Sequence, residues 1–246
     1  EASDSTRTVK TIINMITQAL LPPFTLCDVF LPTYDSEDSM IDSYIPQDLF
    51  RVYLNETRQI VIKRLISYTG CAVRWGATGD MHILVPTTSG GTYAYTYQLG
   101  AGNHGFLSRQ YRRRLVLPNK IVVQSNPEED TVYTGSATHA ASYALVPRTE
   151  TKYLKVISNI EAQTLAESMI FHLALDAEQG SINVPMNVGA EIHDYVQVID
   201  ARQGDTVTGN IEHIRRHCGG GNLDMSIRFG KVKFTGFAGS PPIQTT

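Results

Sequence analysis

The chain has 246 residues, enough for one large domain or two ordinary ones, so it can bury a core without disulfide or metal staples. A formal net charge of −3 excludes the global basic field with which nucleic-acid binders collect phosphates, leaving any DNA contact local or transient. Cys27, Cys71 and Cys218 form no CxxC pair and leave one over if two join, which argues against a disulfide framework and for reduced thiols in an intracellularly folded protein.

The opening EASDSTRT has neither a basic region nor an apolar core and is no secretory signal; with no initiating Met, the chain is expected to be a fragment or a processed form. From Thr8 to Leu20 the residues Val9, Ile12, Ile13, Ile16, Ala19 and Leu20 fall at helical spacing, and Pro22 and Pro23 stop the helix. That apolar run is broken by polar residues and falls short of the roughly 20 residues a membrane span needs, so no stable membrane association is expected. The acidic PTYDSEDSMIDSYIPQD reads as an irregular loop. Its carboxylates Asp35, Glu37, Asp38, Asp42 and Asp48 lack the glycine and closing glutamate of an EF-hand, so a solvated loop outweighs calcium. The stretch Thr57 to Tyr68 predicts a second helix with Ile60, Val61, Arg64, Leu65 and Tyr68 on one side and Gly70 as a left-handed C-cap. CAVRWGATGDMHILVP then predicts a hairpin whose inward set is Met81, Ile83 and Val85.

Beyond Pro86 the character changes. Tyr93, Tyr95 and Tyr97 alternate on one face, and Gly100, Gly102 and Gly105 match the GxGxxG spacing of dinucleotide loops. The context does not match: the loop opens into the charged Phe106 to Arg114, and Val122, Val123 and Gln124 stand where an acidic residue is required, so no cofactor is expected. Arg109, Arg112, Arg113 and Arg114 form a basic cluster around Tyr111. A nucleic-acid patch is one reading; the favoured one is an exposed strand or an inter-subunit contact with acidic neighbours. NKIVVQS is a strand, and TGSATHAASYALV a β-arm or loop. Ser158 and Glu161 fit a capping box, opening a helix with Ala162, Leu165, Ala166, Met169 and Leu173 on one face. From Ser181 to Phe234 the chain alternates between turns at Gly189, Gly204 and Gly219 to Gly221, as in a small antiparallel barrel or sandwich.

The stretch HIRRHCGGGNLDMSIRFG admits a metal site, a phosphate cradle or a hairpin. On a strand, Ile211, His213, Arg215 and His217 share one face, while Ile214, Arg216 and Cys218 share the other, so His217 and Cys218 diverge and no zinc site closes. Phosphate cradles lead into a helix, whereas Leu223, Met225, Ile227 and Phe229 alternate as an inward strand face. A glycine hairpin is the simplest reading. There is no GxSxG, HExxH or P-loop lysine, and His104, His139, His172 and His193 stand alone, so neither catalytic nor metal residues are assigned.

The order of these elements, with Pro185, Gly189, Glu191, Asp194, Val196, Val198, Asp200, Gly209, Met225, Phe229 and Gly230 in the closing half, resembles the tail-hub (baseplate-hub) proteins of tailed bacteriophages and related injection machines over roughly Thr57 to Gly230. The resemblance implies an α+β chain, mainly antiparallel β with a small tube-like barrel and a few short helices. It is divided into a small α+β domain (1–86), a β-barrel-type domain with an inserted helix (87–235) and a flexible tail (236–246). It also implies a non-enzymatic virion protein of the tail tip or baseplate, folded in the host cytoplasm. Such a protein forms a homotrimeric ring below the tail tube and connects it to distal tail, spike or fibre proteins, with transient passage of DNA. Family members carry two tube-like barrels per subunit, so a chain this short is expected to be a truncated or minimal member. The expected interface pairs Arg109, Arg112, Arg113 and Arg114 with Asp35, Asp38 and Asp42 of a neighbour. The alternatives are a carbohydrate- or peptide-binding β-module stacking ligands on Trp75, Tyr93, Tyr95 and Tyr97, and a nucleic-acid-binding barrel using the arginines.

Overall fold

The computed structural model describes residues 7–18, 31–46, 50–53, 56–76, 78–99, 104–111, 114–128, 131–177 and 180–235. The fold is α+β and mostly strands, with five helices among the described residues. Two compact units interleave along the chain: Glu1–Val85 with Leu117–His172, and Pro86–Val116 with Leu173–Thr246.

In the first unit, α1 (Val9–Gln18) buries Val9, Ile13 and Thr17, a stripe at four-residue spacing, and the Thr17 hydroxyl donates back to the Ile13 carbonyl at 3.2 Å. The acidic stretch read as irregular is partly regular. It contains β1 (Thr33–Tyr34) and α2 (Ser39–Ser43), anchored by the buried Met40, Ile41 and Tyr44 that the surrounding Asp and Ser residues masked. Helix α3 (Arg58–Ile66) is capped by the Thr57 hydroxyl, which accepts from the Ile60 amide. Its buried face is Val61, Ile62, Leu65 and Ile66; Ile60, assigned inward from spacing, is exposed. Gly70 is not a left-handed cap either. The hydroxyls of Ser67 and Thr69 satisfy the last carbonyls, at Arg64 and Ile66, and the Gly70 amide instead donates to Asp38 Oδ2 at 2.8 Å. Strands β2 (Ala72–Trp75) and β3 (Met81–Leu84) pair antiparallel as a hairpin, with Met81 and Ile83 buried and Val85 half-buried; β1 joins β3 in parallel.

After the other unit's strands β4 (Tyr95–Gln98) and β5 (Ser108–Tyr111), the first unit resumes with β6 (Lys120–Gln124). This is the centre of a three-stranded sheet between antiparallel β7 (Thr134–Thr138) and parallel β8 (Thr149–Tyr153). The stretch TGSATHAASYALV thus supplies β7 and the short α4 (Ala140–Tyr143). Helix α5 (Asn159–Asp176) begins where the capping box places it. The Glu161 amide donates to Ser158 Oγ at 3.1 Å, and Glu161 Oε2 accepts from the Ile157 amide at 2.8 Å, one residue earlier than the motif asks. Ala162, Leu165, Ala166, Ile170 and Ala174 are buried, whereas Met169 and Leu173 are half-buried. The backbone at Ala162 and Gln163 lies so close to Gly135 that a Cβ there has no room.

The second unit is a six-stranded sheet in the order β4-β10-β11-β12-β9-β5, curled into a half-barrel. Strands β9 (Gly180–Pro185), β10 (Tyr195–Asp200), β11 (Asp205–Gly219) and β12 (Asn222–Thr235) complete it; β4 and β10 pair in parallel and the other neighbours antiparallel. Its core contains Tyr97, Phe106, Ile182, Val184, Val196, Val198, Ile211, Met225, Ile227 and Phe229. Gly230 lets the Leu175 carbonyl rest against β12, where any side chain would collide with it. Gly220 (φ +62°) and Gly221 (φ +81°) make the two-residue turn of the long hairpin, both in the left-handed region that hairpin turns of this kind require.

Two details of that hairpin differ from strict alternation. Register shifts between Gly209 and Ile211 and between Ile211 and His213 insert a bulge, so Ile211 and Ile214, opposite Phe229 and Ile227, both pack on the core. His213, Arg215 and His217 take the outer face without Ile211. Leu223, grouped with Met225, Ile227 and Phe229 from its spacing, is 65% exposed, because the hairpin extends beyond the core at its tip.

Candidate functional site

The curl of the sheet carries an ionic group on its inner face. In β5, Arg109 pairs with Ile182, a core residue, so its side chain points inward. In β10, Asp200 continues the inward set Val196 and Val198, and in β11 Asp205 precedes the inward Val207. Arg109 Nη1 donates to both Asp205 carboxylate oxygens at 2.7 Å; Nη2 lies 3.1 Å from Asp200 Oδ2 and donates to Gln203 Oε1. The Tyr111 ring lies 5.2 Å from the guanidinium, and Arg202 Nε bonds Asp200 at 3.3 Å. β5 is one end of the strand order and β10 is next to the other, so Arg109 spans the open side of the curl and fastens it. Burial pushes the Asp200 carboxyl up, but hydrogen bonds from Arg202 and the charges of Arg109 and Arg202 outweigh it and hold the group below its ordinary value. Burial pushes the Arg109 guanidinium down, and Asp205 and Tyr111 more than restore it.

Of the four clustered arginines, Arg109 is therefore committed inside its own unit, with its side chain 10% exposed. Arg114 is exposed; Arg112 and Arg113 lie outside the described residues. The acidic residues proposed as their partners have contacts in the first unit. Asp35 Oδ2 lies 3.1 Å from His82 Nδ1 and 3.5 Å from Arg74 Nη2, Asp38 accepts from Gly70, and Asp42 lies 3.5 Å from Lys10 Nζ. Lys10 also donates to Glu37 at 2.5 Å, the main reason its ammonium pKa is raised. Among the described residues, then, Arg109 and these three carboxylates each have contacts within their own unit.

The tyrosine row does not form an outer stacking platform. Tyr97 is fully buried, its hydroxyl accepting from Asn187 Nδ2 at 3.3 Å, and burial raises its pKa against the effect of that bond. Tyr95 packs on the same core, its hydroxyl so close to Gly189 that a Cβ there would stand 2.5 Å away. Tyr93 lies 5.4 Å from the Tyr195 ring.

Chemistry-bearing groups are similarly occupied. His217 Nδ1 pairs with Asp224 across the hairpin at 3.3 Å, while Cys218 faces the other way. Among the described residues no group of three His, Cys, Asp or Glu side chains stands where it could hold a metal ion. Ser142 Oγ and His139 Nδ1 lie 3.0 Å apart, but His139 is the N-cap of α4 and Ser142 is buried, which makes the pair a helix cap. The His172 ring bonds the Thr69 carbonyl at 2.8 Å. The latch of Arg109, Asp200 and Asp205 went unnoticed in the sequence, although its signal was present: Asp200 stands in phase with Val196 and Val198 on a strand with an apolar inner face.

No family model matches the sequence, and no curated protein is significantly similar to it. Solved structures are similar in fold. The 43 kDa tail protein of prophage MuSo2 from Shewanella oneidensis aligns over 93% of this chain and 66% of its own length, with 14% identity and a TM-score of 0.55. A tail protein from Neisseria meningitidis MC58 aligns over 92% of this chain and 67% of its own, with 10% identity and a TM-score of 0.60. The chain thus spans about two-thirds of each of these proteins and is similar in fold to these two tail proteins over more than nine-tenths of its length.

Proposed function

We propose that this chain is a structural subunit of a phage-type tail, part of a ring at the base of the tail tube that joins the tube to spike or fibre proteins. The observation that carries the reading is the fold shared with two tail proteins across more than nine-tenths of the chain. Its work is done by sheet edges and barrel faces, and no bond is made or broken. A ring of identical subunits needs one heterologous contact that closes by rotation, and a homotrimer is the form proposed. The boundary proposed pairs the arginine cluster, Arg112 and Arg113 foremost, with the acidic residues Asp35, Asp38 and Asp42 of a neighbour.

Electron microscopy of the protein at high concentration, together with its mass in solution, tests this. A closed particle with threefold rotational symmetry is expected. A monomer at every concentration, with no rotational symmetry in any crystal or assembled particle, overturns it. A carbohydrate- or peptide-binding module loses support from the burial of Tyr97 in the core and the packing of Tyr95 against it.

A further inference from the structure

Each unit exposes an apolar patch, and the two carry opposite charge. On the second unit the patch lies at the tip of the β11–β12 hairpin, on the face that continues the barrel interior. Leu223 pairs with Cys218 there, beyond Met225 and Arg216. Leu223 is 65% and Val188 80% exposed, and the loop bearing Val188 is held against the tip by Arg216, whose Nη2 donates to the carbonyls of Val188 (3.3 Å) and Ala190 (2.6 Å). Arg216 has no carboxylate partner among the described residues, so an exposed cation adjoins the apolar surface. Asp224 lies opposite His217, on the other face of the hairpin from Arg216.

On the first unit the patch lies where β6 ends, β7 begins and β8 ends. Register places Gln124 beside Thr134 and Tyr153, and the Thr134 amide donates to Asn159 Oδ1 at 2.8 Å, bringing the start of α5 to the same end. Val132, Tyr153, Ile157 (71% exposed) and Ile160 (80% exposed) are uncovered there. The β6–β7 connection supplies Glu128, exposed and without an ion partner among the described residues, followed in sequence by Glu129 and Asp130. Of the neighbouring cations, Lys152 is paired with Glu150, and Lys155 is half-buried and engaged.

Exposed apolar surface of this kind on a folded protein marks an interaction site. We infer that the hairpin tip of one copy docks on the β6–β7 end of the first unit of a second copy, with Leu223 and Val188 against Ile157 and Ile160, and Arg216 toward Glu128. The occupant is a second copy because the two patches complement each other in charge and apolar character, and two different patches on one chain make the heterologous contact that a ring requires. The inference rests on the ring reading and names its interface.

The test places opposite charges in the two patches at positions whose exposure spares the fold. Leu223→Glu and Ile160→Lys are each expected to raise the dissociation constant of self-association, read by sedimentation, about tenfold or more. The double variant is expected to recover association near the parent's at low salt and to lose that recovery at about 1 M salt, where screening is nearly complete. If the parent associates and the single variants associate equally well, or the double variant recovers nothing, the inferred interface is wrong while the ring reading stands. If the parent itself never associates, both fall.

Discussion

At the scale of single residues, the Arg109 latch makes the sharpest predictions. Arg109→Met leaves two buried carboxylates without their shared cation, so a stability loss of about 3–5 kcal/mol is expected from urea unfolding. Pairing it with Asp205→Asn should recover part of that loss, a coupling that a double-mutant cycle reads directly. Asp200 adds a pH dependence whose sign follows from its lowered pKa. In the unfolded chain the carboxyl titrates near its ordinary 3.8, and in the folded protein below that. Its stabilising contribution is therefore complete above that value and is lost as pH falls from about 4 through the folded pKa, where the unfolded state binds the extra proton. Asp200→Asn should flatten the stability curve in that acid window. An unchanged acid slope in this variant would remove Asp200 from the latch.

At the scale of elements, helix α5 and the β11–β12 hairpin show where local pattern is reliable. Ser158→Ala removes the oxygen that receives the Glu161 amide and should cost about 1 kcal/mol of stability, measured as a shift of the melting midpoint. Met225, buried between β9 and β11, should not tolerate Asp, because a carboxylate with no partner enters an apolar core; loss of soluble folded protein is the expected readout. Helices α1, α3 and α5, the β2–β3 hairpin, β6 and the glycine turn were legible because capping residues, alternation and left-handed glycines act within a few positions, whereas the short α2 and α4 were not. What was not legible depended on tertiary context. The bulge near Ile211 reverses the phase of the strand after it, and Leu223 keeps an apolar residue's spacing while projecting past the core. Ile60 has helical spacing but loses the inward face to Ile62. The latch needed the curl of the sheet, which no local pattern encodes.

At the scale of the whole molecule, the division into two units that interleave along the chain rests on contacts between residues far apart in sequence, so periodicity could not reveal it. The ring reading makes a prediction at the same scale. Reversing Arg112 and Arg113 to Glu is expected to weaken self-association, with the difference from the parent shrinking as salt rises. Equal association of parent and variant at low salt would remove these arginines from the subunit boundary while leaving the hairpin contact to be judged by its own charge exchange.

The strand order β4-β10-β11-β12-β9-β5 also sets a schedule for synthesis. Its two central strands, β11 and β12, are the last of the six to leave the ribosome, so the flanking pairs β4–β10 and β5–β9 emerge first with nothing to join one pair to the other. Until the final hairpin arrives, the nascent second unit cannot close its sheet, and β4 must wait for a partner about a hundred residues downstream. Long-range pairing of this kind folds slowly and leaves strand edges open to other chains. Chaperones that shield nascent strands should therefore govern the yield of this protein more than its final stability does. Chains stopped before β11 should aggregate during translation even though their first unit is complete.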